Sequence, residues 1–178
     1  MAIKITFLGA GSSVFVRNVL GDCIIHPELE DLTFALYDID AQRLEDSYLM
    51  LHAICAHYGK SVKMEKYVGV EELPQALTGA NFLICAIQVG GYDPCTISDF
   101  EIPKKYGLRQ TIADTLGVGG VFRALRTIPV MEMFGKMAEK YCPNAVFLNY
   151  SNPMGMLSGY MERYCNVQFV GLCHSVQV

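Results

Sequence analysis

The stretch Ile3-Lys4-Ile5-Thr6-Phe7-Leu8, continued by Gly9-Ala10-Gly11-Ser12-Ser13, decides the fold of this chain. The apolar, β-branched run predicts a buried strand, and it ends in two glycines one residue apart. The residues that follow, 14–20, have the spacing of a helix. Strand, glycine turn and helix in this order form a cradle for a dinucleotide pyrophosphate, because the helix begins with N–H groups that face the anion.

The glycine turn predicts four contacts to such a cofactor. Gly9 permits the tight turn, and Gly11 has no side chain that would keep phosphates from the backbone. Ser12 and Ser13 follow at the start of the helix. Val14 stands where the G-x-G-x-x-G pattern has its third glycine, so an ordinary strand-to-helix turn stays open as the alternative for this stretch alone.

Composition restricts the class of protein. The chain has 178 residues, of which 52% are apolar and 18% charged, which predicts one folded domain with a sizeable core. A net charge of −4 without a run of Lys or Arg argues against a nucleic-acid partner. The chain has no signal-peptide pattern and no apolar run of the roughly 20 residues that a membrane helix needs. We therefore expect no membrane partner.

The cysteines favour a reducing compartment. There are seven, an odd number, and none forms a C-x-x-C pair. This pattern is typical of a cytoplasmic protein rather than of a disulfide framework.

A second buried strand is predicted at 32–37 and ends at Asp38. An acidic residue at this point is the usual partner of an adenosine ribose 2′-hydroxyl. Its carboxylate would repel a 2′-phosphate, so Asp38 favours NAD over NADP. The alternative is an aspartate that caps the next helix or lies in a surface turn.

The rest of the chain repeats this alternation of strands and helices. Further strands are predicted at 62–67, 81–87, 145–149 and 167–172, and helices at 40–58, 71–77, 98–106, 122–141 and 154–164, the fourth kinked or interrupted by Pro129. The pattern predicts an α/β fold with a Rossmann-like, doubly wound, mostly parallel sheet in the order 3-2-1-4-5-6 over residues 1–178. Since the chain stops after the sixth strand, we expect it to be the NAD-binding part of a longer enzyme, without the second, catalytic domain.

Ligands of such sheets bind at the carboxyl ends of the strands. Residues expected there follow strands four, five and six: Ile87, then Asp114 in the glycine-rich loop 107–120, then Asn149 and Asn152, then Cys173 and His174. For most of these residues, a purely structural role stays open as the alternative. The loop could be a surface excursion, and Asn152 could be a helix cap before a proline at the first helical position. Cys173 could be an inert buried thiol, and His174 a surface histidine.

The chain resembles the family 4 glycoside hydrolases, an NAD- and metal-dependent group. Four stretches carry the resemblance in the family's order: ITFLGAGSSVF, IQVGGYDP, IADTLGVGG with FRALRTIP, and NYSNPM followed by GLCHSV. Cys-His-Ser-Val after the sixth strand is similar to the α-galactosidase branch acting on melibiose-type sugars. Branches acting on 6-phospho-sugars usually have Cys-Asp-Met-Pro or Cys-Asn-Val-Pro there.

The resemblance implies hydrolysis through transient oxidation at C3 of the sugar, deprotonation at C2 and elimination at C1, with NAD regenerated in each cycle. It implies a divalent metal, usually manganese, with Cys173 as one ligand. It places Asn149 near the nicotinamide, makes Asn152 and Asp114 sugar contacts, and makes His174 a possible acid for the leaving oxygen. A second metal ligand and a tyrosine base are expected beyond Val178, and the full-length protein is expected to be a homo-oligomer.

Two other functions stay open. A lactate/malate-type dehydrogenase has a similar nucleotide domain and an Asn-Pro after the fifth strand. It would need an arginine-bearing mobile loop after the fourth strand, where this chain offers only Arg109 before Asp-Thr-Leu-Gly-Val-Gly-Gly. A non-catalytic nucleotide-sensing module is the second alternative.

Overall fold

The computed structural model describes residues 2–110 and 117–173. Its centre is a six-stranded sheet in the order β3-β2-β1-β4-β5-β6, and every neighbouring pair of strands is parallel. The strands are β1 (Ile3–Leu8), β2 (Leu32–Asp38), β3 (Lys63–Val68), β4 (Phe82–Cys85), β5 (Val146–Asn149) and β6 (Gln168–Gly171). The predicted doubly wound Rossmann-like sheet and its strand order are confirmed.

Helices connect consecutive strands. They are α1 (Ser13–Phe15), which continues through a π-helical turn, Val16–Leu20, into α2 (Gly21–Ile25), then α3 (Ala41–His57), α4 (Leu73–Leu77), α5 (Ile97–Lys104), α6 (Val118–Tyr141) and α7 (Met154–Tyr164). A short 3-10 turn, Val70–Glu72, precedes α4, and a kinked turn, Gly91–Thr96, with extended backbone at Asp93, precedes α5. Among the helices described, none is both long and apolar enough to cross a membrane.

The central strands of the sheet, β1, β2 and β4, are buried on both faces. Phe7 packs with the first helical segment and α3, while the next residue, Leu8, packs on the opposite side with α4, α6 and α7. Successive side chains of a strand point to opposite faces, and the apolar run of β1 serves both cores because helices cover both. This burial is what the continuous apolar pattern of the strands predicts.

Helix α6 differs from the expectation at two points. It begins at Val118, so the last residues of the predicted loop 107–120 are helical. It also runs without interruption through Pro129, so of the two predicted alternatives, a kink or an interruption, the interruption is wrong. Buried side chains lie on both sides of the proline, Ala124 before it and Met131 and Phe134 after it. Their packing offsets the roughly 3 kcal/mol that an interior proline costs a helix.

The start of α7 also corrects one alternative. The residue at its N-cap position is Pro153, and the first helical residue is Met154. Asn152 is therefore not the cap of this helix, and the proline is not at its first helical position. The asparagine lies in the segment that joins β5 to α7, at the carboxyl edge of the sheet.

Candidate cofactor-binding site at the carboxyl edge

The turn after β1 is fixed by its neighbours on both sides. The N–H groups of Gly9 and Ala10 both donate to the carbonyl of Tyr37, at 3.0 and 2.9 Å. Gly9 has a φ of +90°, and a Cβ there would lie 2.8 Å from the carbonyl oxygen of Ala86. A side chain is excluded by both conformation and space, so the first glycine is required by the fold itself.

Gly11 and Asp38 are joined directly. The Gly11 N–H donates to Asp38 Oδ2 at 2.6 Å, and Asp38 Oδ1 accepts from the Asp40 N–H at 3.0 Å. The cap of α3 is Asp40, whose side chain accepts from the N–H groups of Gln42 and Arg43. The alternative that Asp38 caps this helix is therefore wrong. Its carboxylate instead ties the end of β2 to the glycine turn.

The two serines stand at the start of the first helical segment. Ser12 is half-buried and Ser13 is exposed. The Ser12 hydroxyl makes no capping bond to the helix, while its N–H donates to the Gly9 carbonyl at 3.0 Å. The turn thus closes on itself through the backbone and presents small polar side chains at its rim. A concave backbone with small residues suits a phosphate-bearing ligand.

Ser151 joins the ends of β4 and β5, a role that its local sequence did not predict. Its side chain is buried, and Oγ accepts from the Ile87 N–H at 2.9 Å. The Ile87 side chain in turn lies against Gly9, because a Cβ on that glycine would lie 2.8 Å from Ile87 Cγ2. The signal that could have found Ser151 was its position inside the Tyr-Ser-Asn-Pro segment that follows a strand.

Asn149 is fully buried, and its amide is used within the chain. Its Nδ2 donates to the Ser151 carbonyl at 3.0 Å, and its Oδ1 accepts from the Ser151 N–H at 3.0 Å. The side chain therefore shapes the turn that follows β5. Its direct contact with a cofactor stays a prediction.

Cys85, beside this turn, is chemically inert in the fold. Its Sγ lies 3.6 Å from Ser151 Oγ, and burial raises the pKa of the thiol to about 12. A thiol with so high a pKa is protonated at neutral pH and is not a nucleophile.

Cys173 and Asn152 lie at the same edge. The Leu172 N–H donates to the Asn149 carbonyl at 2.8 Å, so the end of β6 stays beside the end of β5 up to the residue before Cys173. Cys173 and Asn152 are both half-buried. The other two predicted residues, Asp114 and His174, lie outside the described residues.

Cys173 is the predicted metal ligand, and it lies within the residues that the structure describes. Within residues 2–110 and 117–173, no three His, Cys, Asp or Glu side chains come together as a possible metal site. Cys173 by itself supplies a single thiolate, whereas a metal such as zinc takes three or four protein ligands. The described residues therefore do not form a metal site on their own.

A family model described as Family 4 glycosyl hydrolase matches residues 4–178. The chain belongs to this family. A curated α-galactosidase of Bacillus subtilis is 57% identical over 98% of this chain and 40% of the relative. An α-galacturonidase of Thermoanaerobacter italicus is 34% identical over 98% of this chain and 37% of the relative. The chain thus spans about 40% of the length of the curated relatives it matches.

Solved family 4 structures share the fold. A 6-phospho-β-glucosidase from Thermotoga maritima superimposes with a TM-score of 0.81 at 26% identity, over 97% of this chain and 40% of that one. That structure contains manganese, NAD⁺ and glucose-6-phosphate.

Proposed function

We propose that the chain is the NAD-binding part of an NAD- and divalent-metal-dependent α-galactosidase. The observation that carries the proposal is the glycine turn of β1 closed onto Asp38, in a chain 57% identical to a curated α-galactosidase. The acidic residue at the end of β2 supports NAD rather than NADP, since a carboxylate repels a 2′-phosphate.

The chain's own residues fit a dinucleotide. A Cβ on Gly11 would lie 2.8 Å from Asp38 Oδ2, so only glycine lets the Asp38 carboxylate approach the turn this closely. In the proposed complex, Gly9, Gly11, Ser12 and Ser13 hold the pyrophosphate and Asp38 accepts from the ribose hydroxyls. Ile87 and Asn149 border the nicotinamide. When bound, NAD supplies a reversible hydride acceptor for the sugar carbon.

The sugar-facing roles rest on the sequence prediction. Asn152 and Asp114 would bind sugar hydroxyls, Cys173 would contribute one metal ligand, and His174 would protonate the leaving oxygen. Mn²⁺ is the cation proposed, because a family 4 structure contains it together with NAD. The remaining metal ligands would have to come from residues other than the described ones.

Turnover of a chromogenic sugar tests the proposal. We expect the purified full-length protein to release nitrophenol from p-nitrophenyl α-galactoside only when NAD and Mn²⁺ are both present. Nitrophenyl α-galacturonide is the control substrate, since relatives with that activity match at lower identity. No net NADH should appear at 340 nm, because the hydride returns to the sugar within each cycle.

The outcomes separate the candidate functions. Turnover that persists after both cofactors are removed would defeat the proposal. NAD binding without turnover of any glycoside would favour the nucleotide-sensing module. Net NADH production with a 2-hydroxy acid would favour a dehydrogenase.

A further inference from the structure

Asp99 in α5 is the one buried carboxylate in the described part of the chain. Its side chain is 2% exposed, and Arg126 in α6 pairs with it through two bonds. Arg126 Nη1 donates to Asp99 Oδ1 at 3.0 Å, and Nη2 donates to Oδ2 at 2.7 Å. This bidentate geometry satisfies both carboxylate oxygens and raises the pKa of the Arg126 guanidinium.

Arg126 also reaches the segment that leaves β4. Its Nε donates to the Val89 carbonyl at 3.4 Å. The next residue, Gly90, has a φ of +82°, and a Cβ there would lie 3.3 Å from Arg126 Nε and 2.4 Å from Cys95 Sγ. The Arg126 guanidinium therefore lies close to the backbone of residues 89 and 90.

Thr96 links the two ends of the same segment through hydrogen bonds. Gln88 Nε2 donates to Thr96 Oγ1 at 3.0 Å, and Thr96 Oγ1 donates to the Gly91 carbonyl at 3.2 Å. At its beginning, Ile87 is fixed by Ser151 and lies against Gly9. The segment 88–91 thus follows directly after Ile87, which lies against Gly9, and is held to Arg126 through the Val89 carbonyl.

A contribution to folding stability does not by itself explain why Asp99 and Arg126 form a buried ion pair. A buried ion pair is often no more stabilising than apolar side chains of similar volume, because desolvation offsets the attraction. A pair that holds a loop at a ligand edge can be retained for geometry instead.

We infer that Asp99 and Arg126 are positioning residues, which hold the turn 88–91 in the shape that accepts NAD. The inference rests on the proposed function, since it requires that this edge of the sheet binds NAD. Asp99 fixes the guanidinium, and the guanidinium fixes the Val89 carbonyl.

The test is NAD binding by calorimetry on the full-length protein, with thermal unfolding measured in parallel. The double variant Asp99→Leu/Arg126→Met replaces the pair by apolar side chains. We expect its midpoint of unfolding to stay within about 4 °C of wild type, while the dissociation constant for NAD rises about tenfold. The kcat at saturating NAD should be retained within about twofold, which a loss of folded protein would not allow.

Two further variants complete the test. Arg126→Lys keeps a charge opposite Asp99 but lacks the planar fork, so we expect a smaller rise in the dissociation constant. The control is Glu101→Ala/Lys104→Ala, which removes an exposed ion pair from the same helix as Asp99 and should leave NAD binding unchanged.

The outcomes are distinguishable. If wild type binds NAD and the folded variants bind it equally well, the positioning role is overturned and the proposed function stands. If the double variant does not fold and Arg126→Lys binds NAD as wild type does, the pair is structural and the inference is again overturned. If wild type itself does not bind NAD, the proposed function falls and the inference falls with it.

Discussion

The backbone N–H of Gly11 donates to Asp38 Oδ2 over 2.6 Å, so the second glycine of the β1 turn and the acidic end of β2 form one unit. They lie 27 positions apart in the chain and are brought together because β1 and β2 are parallel neighbours.

Asp38→Ala should weaken NAD binding and relax the choice between cofactors. It removes a charged acceptor from the Gly11 N–H and, in the proposed complex, from the ribose hydroxyls. Bonds to charged groups contribute roughly 1.5–3 kcal/mol. We expect the dissociation constant for NAD to rise about tenfold or more, and that for NADP to rise less. Calorimetric titration of both cofactors measures this.

Asp40→Ala is the matched control for this substitution. Asp40 caps α3, so its loss should lower the free energy of unfolding by about 1 kcal/mol. It should leave the dissociation constant for NAD unchanged. Equal effects of the two variants on NAD binding would contradict the role given to Asp38.

Gly11→Ala should impair NAD binding through sterics. The added Cβ would lie 2.8 Å from Asp38 Oδ2 and 2.9 Å from Arg43 Cβ, so the turn or the carboxylate must move. We expect at least about a tenfold loss of affinity, measured by the same titration.

Gly21→Ala is the control for the added methyl group. Gly21 has helical φ and ψ, and a Cβ there would meet Ile54 Cδ1 at an ordinary 3.7 Å. It should raise stability by roughly 0.5–1 kcal/mol without changing NAD binding. If Gly11→Ala binds NAD as well as Gly21→Ala does, displacing the turn or the Asp38 carboxylate does not affect the cofactor, and the role given to Gly11 is wrong.

Ser151→Ala should destabilise the carboxyl edge of the sheet. It leaves the Ile87 N–H without its acceptor, and an unsatisfied buried donor costs about 1–3 kcal/mol. Urea unfolding followed by circular dichroism measures the loss. Ser158→Ala, which removes only a 3.4 Å contact to Met154 Sδ, should change stability by less than about 0.5 kcal/mol. Equal stability of the two variants would argue against Ser151 as the link between β4 and β5.

Cys85 should make stability depend on alkaline pH. Burial raises its pKa from 9.0 to about 12, so the unfolded chain releases this proton near pH 9 while the folded chain keeps it. Stability contributed by the protonated thiol is therefore present below pH 9 and is lost as the pH rises toward 12. Between pH 8.5 and 10 the stability advantage of wild type over Cys85→Ala should shrink by about 1 kcal/mol.

Leu83→Ala provides the comparison for that pH series. Leu83 is buried in the same strand and does not titrate, so its destabilisation should be the same at pH 8.5 and pH 10. Urea unfolding at both pH values measures all three proteins. A stability difference for Cys85→Ala that does not change with pH would show that the thiol ionises equally in both states.

The sequence by itself determined the order of strands and helices, the parallel sheet and the place of the glycine turn. These follow from local patterns: apolar runs of strand length, helical spacing, and glycines where the backbone must turn. Asp38 was found the same way, because its position at the end of β2 depends only on where that strand stops.

Only the tertiary structure decided which partners those residues have. Pro129 predicted a kink or an interruption, yet α6 continues without interruption, with buried side chains on both sides of the proline. The roles of Ser151, Asn149 and the Asp99–Arg126 pair depend on contacts between separate elements, and serine, asparagine, aspartate and arginine carry no local signal of burial. Secondary-structure propensity depends on residues that are neighbours in the sequence. The hydrogen-bond partners of a buried polar group depend on which distant residues the fold places next to it.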